Sequence, residues 1–177
     1  KGNDIYIVDS IGDVVNENIG EGNADRIISH INYTLKDGQD IELLQLAEPS
    51  INSPIPAINA TGNSLDNSIF GNRLNNVLLG EGGEDELYGQ LGNDILYGGS
   101  DKDYLFGGLG IDTYFVNGND VIYDADGKGS VFAAIDGIND YSHRYSGGVF
   151  EEKDDNGNRI YENESSGNTY VLTENLE

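Results

Sequence analysis

The chain has no cysteine, three prolines, two histidines and nine basic residues among its 177 residues. Without cysteine there are no disulfides and no thiolate metal sites. Nine Lys and Arg against 32 Asp and Glu leave a formal charge of −23. That balance disfavours nucleic acid and anionic membrane surfaces and favours metal cations or basic partners. No run reaches the roughly 18 apolar residues of a membrane-spanning helix, and no signal-peptide pattern is visible. Such acidity also fits a disordered chain. Self-repulsion is expected to hold the chain open without metal, and a bound cation to close it. Lys1 falls in mid-motif, so the chain reads as a piece of a longer protein.

The scarcity of histidine and the lack of cysteine bear on catalysis. His30 and His143 are the only histidines, and no nucleophile elbow supports a Ser-His-Asp set around His143. His30 reads as a surface or stacking residue. The Gly-rich loops lack the Lys-Ser/Thr of a phosphate loop. Carboxylate pairs are plentiful enough for a glycosidase-like or lyase-like site, but nearly every one falls at a turn position with another explanation. No enzyme is expected.

What is present in abundance is glycine, 25 residues, and much of it is periodic. Residues 62–115 divide into GNSLDNSIF, GNRLNNVLL, GEGGEDELY, GQLGNDILY, GGSDKDYLF and GGLGIDTYF. Each nonapeptide opens with Gly. The sixth position is Asn67, Asn76, Asp85, Asp94, Asp103 and Asp112, and the eighth is Ile69, Leu78, Leu87, Leu96, Leu105 and Tyr114. A fixed period over this length signals a repeat architecture.

The two halves of a block have different jobs. The glycines permit positive φ and a tight turn, and the carboxylate at its end sits beside outward-turned carbonyls. An all-oxygen site of that kind suits a hard cation such as Ca²⁺. The last three residues form a short strand whose middle side chain alone points inward. Two blocks make one coil. Coils stacked about 4.8 Å apart place Asn67, Asp85 and Asp103 on one side and Asn76, Asp94 and Asp112 on the other. At about 5 Å, two unit charges repel by roughly 3 kcal/mol at an effective dielectric near 20; a cation between turns reverses that sign. The alternative is a metal-free solenoid in which Asp and Asn only cap turns.

These nonapeptides resemble the RTX repeat GGxGxDxUx, most closely in GEGGEDELY, GQLGNDILY and GGLGIDTYF. The resemblance implies an all-β, right-handed parallel β-roll with a C-terminal β capping segment. It implies one Ca²⁺ among Glu81, Gly83, Asp85, Gly98, Ser100 and Asp103, and a second among Gln90, Gly92, Asp94, Gly107, Leu109 and Asp112. Asn67 and Asn76 depart from the pattern and imply weaker sites. Asp101 replaces the fourth-position Gly, which strains that turn or adds a ligand. The resemblance also implies a Cys-poor secreted bacterial protein, exported unfolded by type I secretion.

Residues 1–46 are expected to be the end of a preceding roll segment with longer coils. KGNDIYIVD aligns with LGIDTYFVN, making Asp4 the counterpart of Asp112. With Val8 as a first position, Asp13 falls at six; after a three-residue insertion, GEGNADRII puts Asp25 there. Asp4, Asp13 and Asp25 are thus further ligand candidates, against a reading as ordinary turn residues. Alternation over 29–46 predicts strands. Residues 47–61 hold all three prolines and read as an exposed loop.

The nines fail after 115, and 116–177 is expected to be a β cap and hairpin region. Asp120 and Asp124 are candidates to complete sites begun by Asp103 and Asp112. DADGKG resembles part of an EF-hand loop but lacks its twelfth-position Glu. SGGVFEEK and NRIYENE around Asn156-Gly157 read as a hairpin, followed by a strand in NTYVLT.

Position nine is mostly aromatic, with Phe70, Tyr88, Tyr97, Phe106 and Phe115. It reads as a ladder stiffening each sheet, or as a stripe binding a surface glycan or partner protein. Three functions follow: a calcium-driven folding and structural module of a larger secreted adhesin, toxin or hydrolase; a glycan- or protein-binding adhesion module; and a carboxylate-type enzyme. The first is the reading adopted.

Overall fold

The computed structural model describes residues 2–20, 22–50, 58–116, 120–125, 128–135, 138–146, 152–153, 159–162 and 169–172, with side chains through residue 132. Its strands are β1 (Ile5–Val8), β2 (Arg26–Ser29), β3 (Tyr33–Thr34), β4 (Leu43–Leu46), β5 (Asn59–Thr61), β6 (Ser68–Phe70), β7 (Val77–Glu81), β8 (Glu86–Tyr88) and β9 (Ile95–Gly99). They continue as β10 (Tyr104–Phe106), β11 (Asp112–Val116), β12 (Val121–Tyr123), β13 (Gly129–Ile135), β14 (Ile138–Ser146), β15 (Glu152–Lys153), β16 (Arg159–Glu162) and β17 (Thr169–Leu172). Among the described residues there is no helix to cross a membrane.

The strands form an all-β parallel roll. One sheet runs β1-β2-β4-β6-β8-β10-β12, and the facing sheet runs β14-β13-β11-β9-β7-β5-β3. Successive strands of the chain alternate between the sheets over most of the roll, so each strand pairs in parallel with the one a coil away. Only β14 breaks the pattern. It returns antiparallel against β13 and closes that sheet.

The core follows from the alternation of side chains along a strand. In the three-residue strands only the middle residue faces inward. Ile27, Leu44, Ile69, Leu87, Leu105 and Ile122 stack in register down one sheet. Ala60, Leu78, Leu96, Tyr114 and Val131 stack down the other. These columns are the solvent-free interior. Each fully buried aliphatic side chain contributes about 1.5–3 kcal/mol, yet each nonapeptide of the array supplies only one to these columns. The apolar core is therefore thin for the length of chain it orders.

Position nine points outward from the core and stacks along the roll. Phe70, Tyr88, Phe106 and Tyr123 form one row, with centroids 4.4, 4.5 and 4.7 Å apart. Tyr97, Phe115 and Phe132 form a second, at 4.1 and 5.0 Å. The rings lie nearly parallel and cover each other's faces, so mainly edges are presented outward.

The segment 47–61 differs from its reading as an exposed loop. Ala47 is buried, and Asn59–Thr61 forms strand β5 with Ala60 fully buried between its register partners Leu78 and Tyr33. Ala stands where the other coils carry a larger apolar residue, so the strand lacked its usual signature. The ladders run past this segment without a break, β4 pairing β6 and β3 pairing β5. The Pro-containing stretch 51–57 lies outside the described residues.

Beyond the roll, β15, β16 and β17 form a separate antiparallel sheet. This gives the expected hairpin and following strand. The Asn156-Gly157 turn and Asp126 lie outside the described residues, as does Lys1.

Candidate metal centre

Each strand of the first sheet begins at or just after an acidic or amide residue. The backbone N–H of Asn67 donates to Asp85 Oδ1 at 2.8 Å, that of Asp85 to Asp103 Oδ1 at 2.9 Å, and that of Asp103 to Asp120 Oδ1 at 3.1 Å. On the facing side, Asn76 N–H donates to Asp94 Oδ1 at 2.6 Å and Asp94 N–H to Asp112 Oδ1 at 2.8 Å. Asp120 thus extends the ladder begun by Asp103. Residues a coil apart are separated by 18 positions through the array, as two nonapeptides require.

The ladder uses one oxygen of each carboxylate and leaves the other. Asp85, Asp94 and Asp103 are essentially solvent-free, and their Oδ2 atoms take no hydrogen bond. A buried carboxylate oxygen without a donor is costly. Burial accordingly pushes these acids up, Asp85 to about 8, Asp94 to about 7 and Asp103 to about 6. The backbone donors oppose the shift, and neighbouring acids, Asp103 beside Asp85 and Asp112 beside Asp94, add to it.

The orphaned oxygens face main-chain oxygen. A Cβ on Gly80 would collide with both Asp85 Oδ2 and the Gly98 carbonyl of the next coil. One on Gly89 would collide with Asp94 Oδ2 and the Gly107 carbonyl. Only glycine leaves these points open to two converging oxygens. A hard cation bound by oxygen alone fits such a donor set. The turns supporting it require left-handed backbone, with φ 97° at Gly83 and 124° at Gly92. Glu81, Gln90 and Asp101 adopt it too, at 79°, 75° and 77°, a conformation costing non-glycine residues roughly 1–2 kcal/mol.

Several sequence-assigned carbonyls already serve the turns. The carbonyl of Glu81 accepts Ser100 N–H and that of Gln90 accepts Leu109 N–H, both at 2.9 Å; that of Leu109 accepts Gly92 N–H at 3.0 Å. Each carbonyl oxygen has a second lone pair, and at Glu81 the Ser100 hydroxyl also donates to it, at 3.4 Å. Asp101 is exposed, and its carboxylate accepts a long 3.5 Å contact from Ser100 Oγ. Tyr88, Tyr97, Phe106 and Phe115 belong to the stacked rows and lie outside the acidic ladder.

The two Asn positions are wired differently. Asn67 Nδ2 donates to the Ile41 carbonyl at 2.9 Å while its Oδ1 accepts Asn63 N–H at 2.9 Å. Asn76 Nδ2 donates to Asn72 Oδ1 at 3.2 Å while its own Oδ1 accepts Asn72 N–H at 2.7 Å. Here amide donors occupy the turn interior.

At the N-terminal end, Asp4 N–H donates to Asp25 Oδ1 at 2.7 Å and Asp25 N–H to Glu42 Oε2 at 2.6 Å. Asp4, Asp25 and Glu42 are therefore linked by the same backbone-to-carboxylate pattern. Asp13 is not brought to them. It is exposed, and its Oδ2 closes a local turn by accepting Asp9 and Ser10 N–H at 3.0 and 3.1 Å. Sequence reasoning missed Glu42 and Glu17. Glu42 directly precedes the strand LLQL, the signal that could have found it. Glu17 lies in the three-residue insertion, where the repeat has no position for it. Asp124 is buried after β12 beside Tyr114. Burial first, then the charges of Asp124 and Asp112, hold the Tyr114 phenol far above the usual tyrosine range.

A parallel β-roll with stacked glycine turns and inward carboxylates defines a cation-binding solenoid. Residues 61–96 and 79–114 match the RTX calcium-binding nonapeptide repeat family (4 copies). The array at 61–114 belongs to that family, and it is a calcium-binding structural module. No curated protein matches the chain.

Proposed function

We propose that the chain is a calcium-driven folding module of a larger secreted bacterial protein, an adhesin, toxin or hydrolase, that stays open during export and closes on meeting extracellular calcium. The observation that carries this reading is the set of buried, undonated Oδ2 atoms on Asp85, Asp94 and Asp103. They make the roll unfavourable when these acids are ionised and uncompensated. The proposed ligand sets are Glu81, Gly83, Asp85, Gly98, Ser100 and Asp103, and Gln90, Gly92, Asp94, Gly107, Leu109 and Asp112. Asp120 accepts the Asp103 N–H at the closing end of the ladder, and Asp124 lies buried beside Tyr114; both are proposed as further ligands there.

A ligand that binds only the folded state adds RT ln(1 + [L]/Kd) per site to stability. Extracellular calcium modules bind at roughly 10⁻⁴–10⁻³ M. At cytosolic calcium that term vanishes, and the net charge of −23 opposes closure. At millimolar calcium each occupied turn adds its share, and neighbouring sites assist one another because the ladder connects their ligands.

Far-UV circular dichroism during a calcium titration from EDTA, with magnesium as control, tests this. The expected result is a calcium-selective coil-to-β transition whose midpoint rises in Asp85→Ala and Asp94→Ala. A chain fully folded in EDTA, or variants with unshifted midpoints, would overturn it.

A further inference from the structure

We propose that Asp4, Glu17 and Asp25 form a separate cation site at the N-terminal end of the roll, outside the nonapeptide array, taking Ca²⁺ or a lanthanide of similar size. One oxygen from each of the three lies within 4.8 Å of the others. Glu17 and Asp25 are 5% and 0% exposed.

Independent of that proximity is how the oxygens are committed. Glu17 Oε2 accepts the Tyr6 hydroxyl, and Asp25 Oδ1 accepts Asp4 N–H. Each acid is thereby held by one oxygen. The others, Glu17 Oε1 and Asp25 Oδ2, are buried and take no hydrogen bond. Arg26 directs its guanidinium to Gln45, and among the described residues it makes no ion pair with them.

Main-chain oxygen approaches the same place. A Cβ on Gly22 would collide with Asp25 Oδ2 and would lie 2.7 Å from the Gly2 carbonyl. Three carboxylates with no nitrogen or sulfur ligand select a hard cation over a softer transition metal. The bound ion would pin the 17–19 insertion to the first coil, since Glu17 is the only one of the three from that insertion. The ligands assigned within 61–114 play no part in it.

The test counts ions on the full chain by equilibrium dialysis with calcium, for wild type, Glu17→Gln and Asp94→Ala. The expected result is one ion fewer in Glu17→Gln with the calcium-driven β transition retained, and a loss in Asp94→Ala that is additive with it. An unchanged count in Glu17→Gln, with a reduced count in Asp94→Ala, overturns this inference alone; a wild-type chain that binds no ion overturns the calcium reading as well. Should Glu17→Gln fail to fold, Tyr6→Phe carries the test, because it leaves all three carboxylates in place. Terbium emission sensitised through tyrosine is expected to lose one titrating component in Tyr6→Phe; unchanged emission would overturn the assignment.

Discussion

The backbone N–H of Asp85 donates to Oδ1 of Asp103, 2.9 Å away and 18 residues further along the chain. One carboxylate thus does two separable jobs, accepting a backbone donor with one oxygen and presenting the other. Asp103→Asn retains an acceptor and removes the charge. Its calcium midpoint is expected to rise about tenfold, equivalent to about 1.4 kcal/mol, with residual metal-free structure preserved or increased. Asp103→Ala also orphans the Asp85 N–H, a further cost of about 1–3 kcal/mol. Calcium titrations with urea unfolding of the two variants separate these effects. Equal behaviour would contradict the division of labour.

The same acids set a pH dependence of opposite sign with and without metal. Asp85, Asp94 and Asp103 bind protons more tightly folded than unfolded, at about 8, 7 and 6. Between about pH 4 and 8 the metal-free folded state therefore holds more protons, and its stability falls as pH rises. The metal-free chain is expected to gain β structure on acidification from pH 8 to pH 5. Calcium must displace those protons, so its midpoint is expected to rise by roughly tenfold per displaced proton for each pH unit lowered within that range. Circular dichroism at pH 8 and 6, with and without calcium, reads both arms.

Phe106 stacks between Tyr88 and Tyr123, with centroids at 4.5 and 4.7 Å. Stacked pairs contribute about 0.5–1.5 kcal/mol beyond their burial. Phe106→Ala is expected to lower holo stability by about 1–3 kcal/mol in urea unfolding while leaving the number of bound ions unchanged. A glycan-array signal lost in this variant without loss of stability would favour the adhesion reading instead.

Asn67 donates its amide to the Ile41 carbonyl at 2.9 Å. A carboxylate there would set acceptor against acceptor. Asn67→Asp is expected to lose β structure in EDTA and recover it with calcium, so the gap between the two conditions widens. Hydrogen exchange across β4–β6 in EDTA checks the local effect.

The period of nine made most of this legible. It placed the inward residues Leu87, Leu96 and Leu105 and the ladder residues Asp85, Asp94 and Asp103 from one alignment, because position in the block fixes both burial and turn geometry. Where the period failed, several readings failed with it. β5 hides in a Pro-containing segment because Ala60 carries too little apolar signal. Asp13 was assigned by phase alone, but its carboxylate is satisfied within four residues of chain and never reaches Asp4 or Asp25. Glu17 arrives from an insertion, so only three-dimensional proximity reveals it. The amide wiring of Asn67 is likewise invisible in sequence, where Asn reads simply as a weaker Asp.

The 18-residue spacing between stacked coils also has a mechanical meaning. Fully extended, 18 residues reach about 60 Å; rolled, they advance the axis by about 4.8 Å. Each coil that closes therefore shortens the chain more than tenfold, and it does so using contacts only one coil away. A chain threaded through a narrow opening and closing on the far side would reel itself out coil by coil. On the export reading proposed above, each coil that calcium closes on the far side would draw the next stretch of chain through.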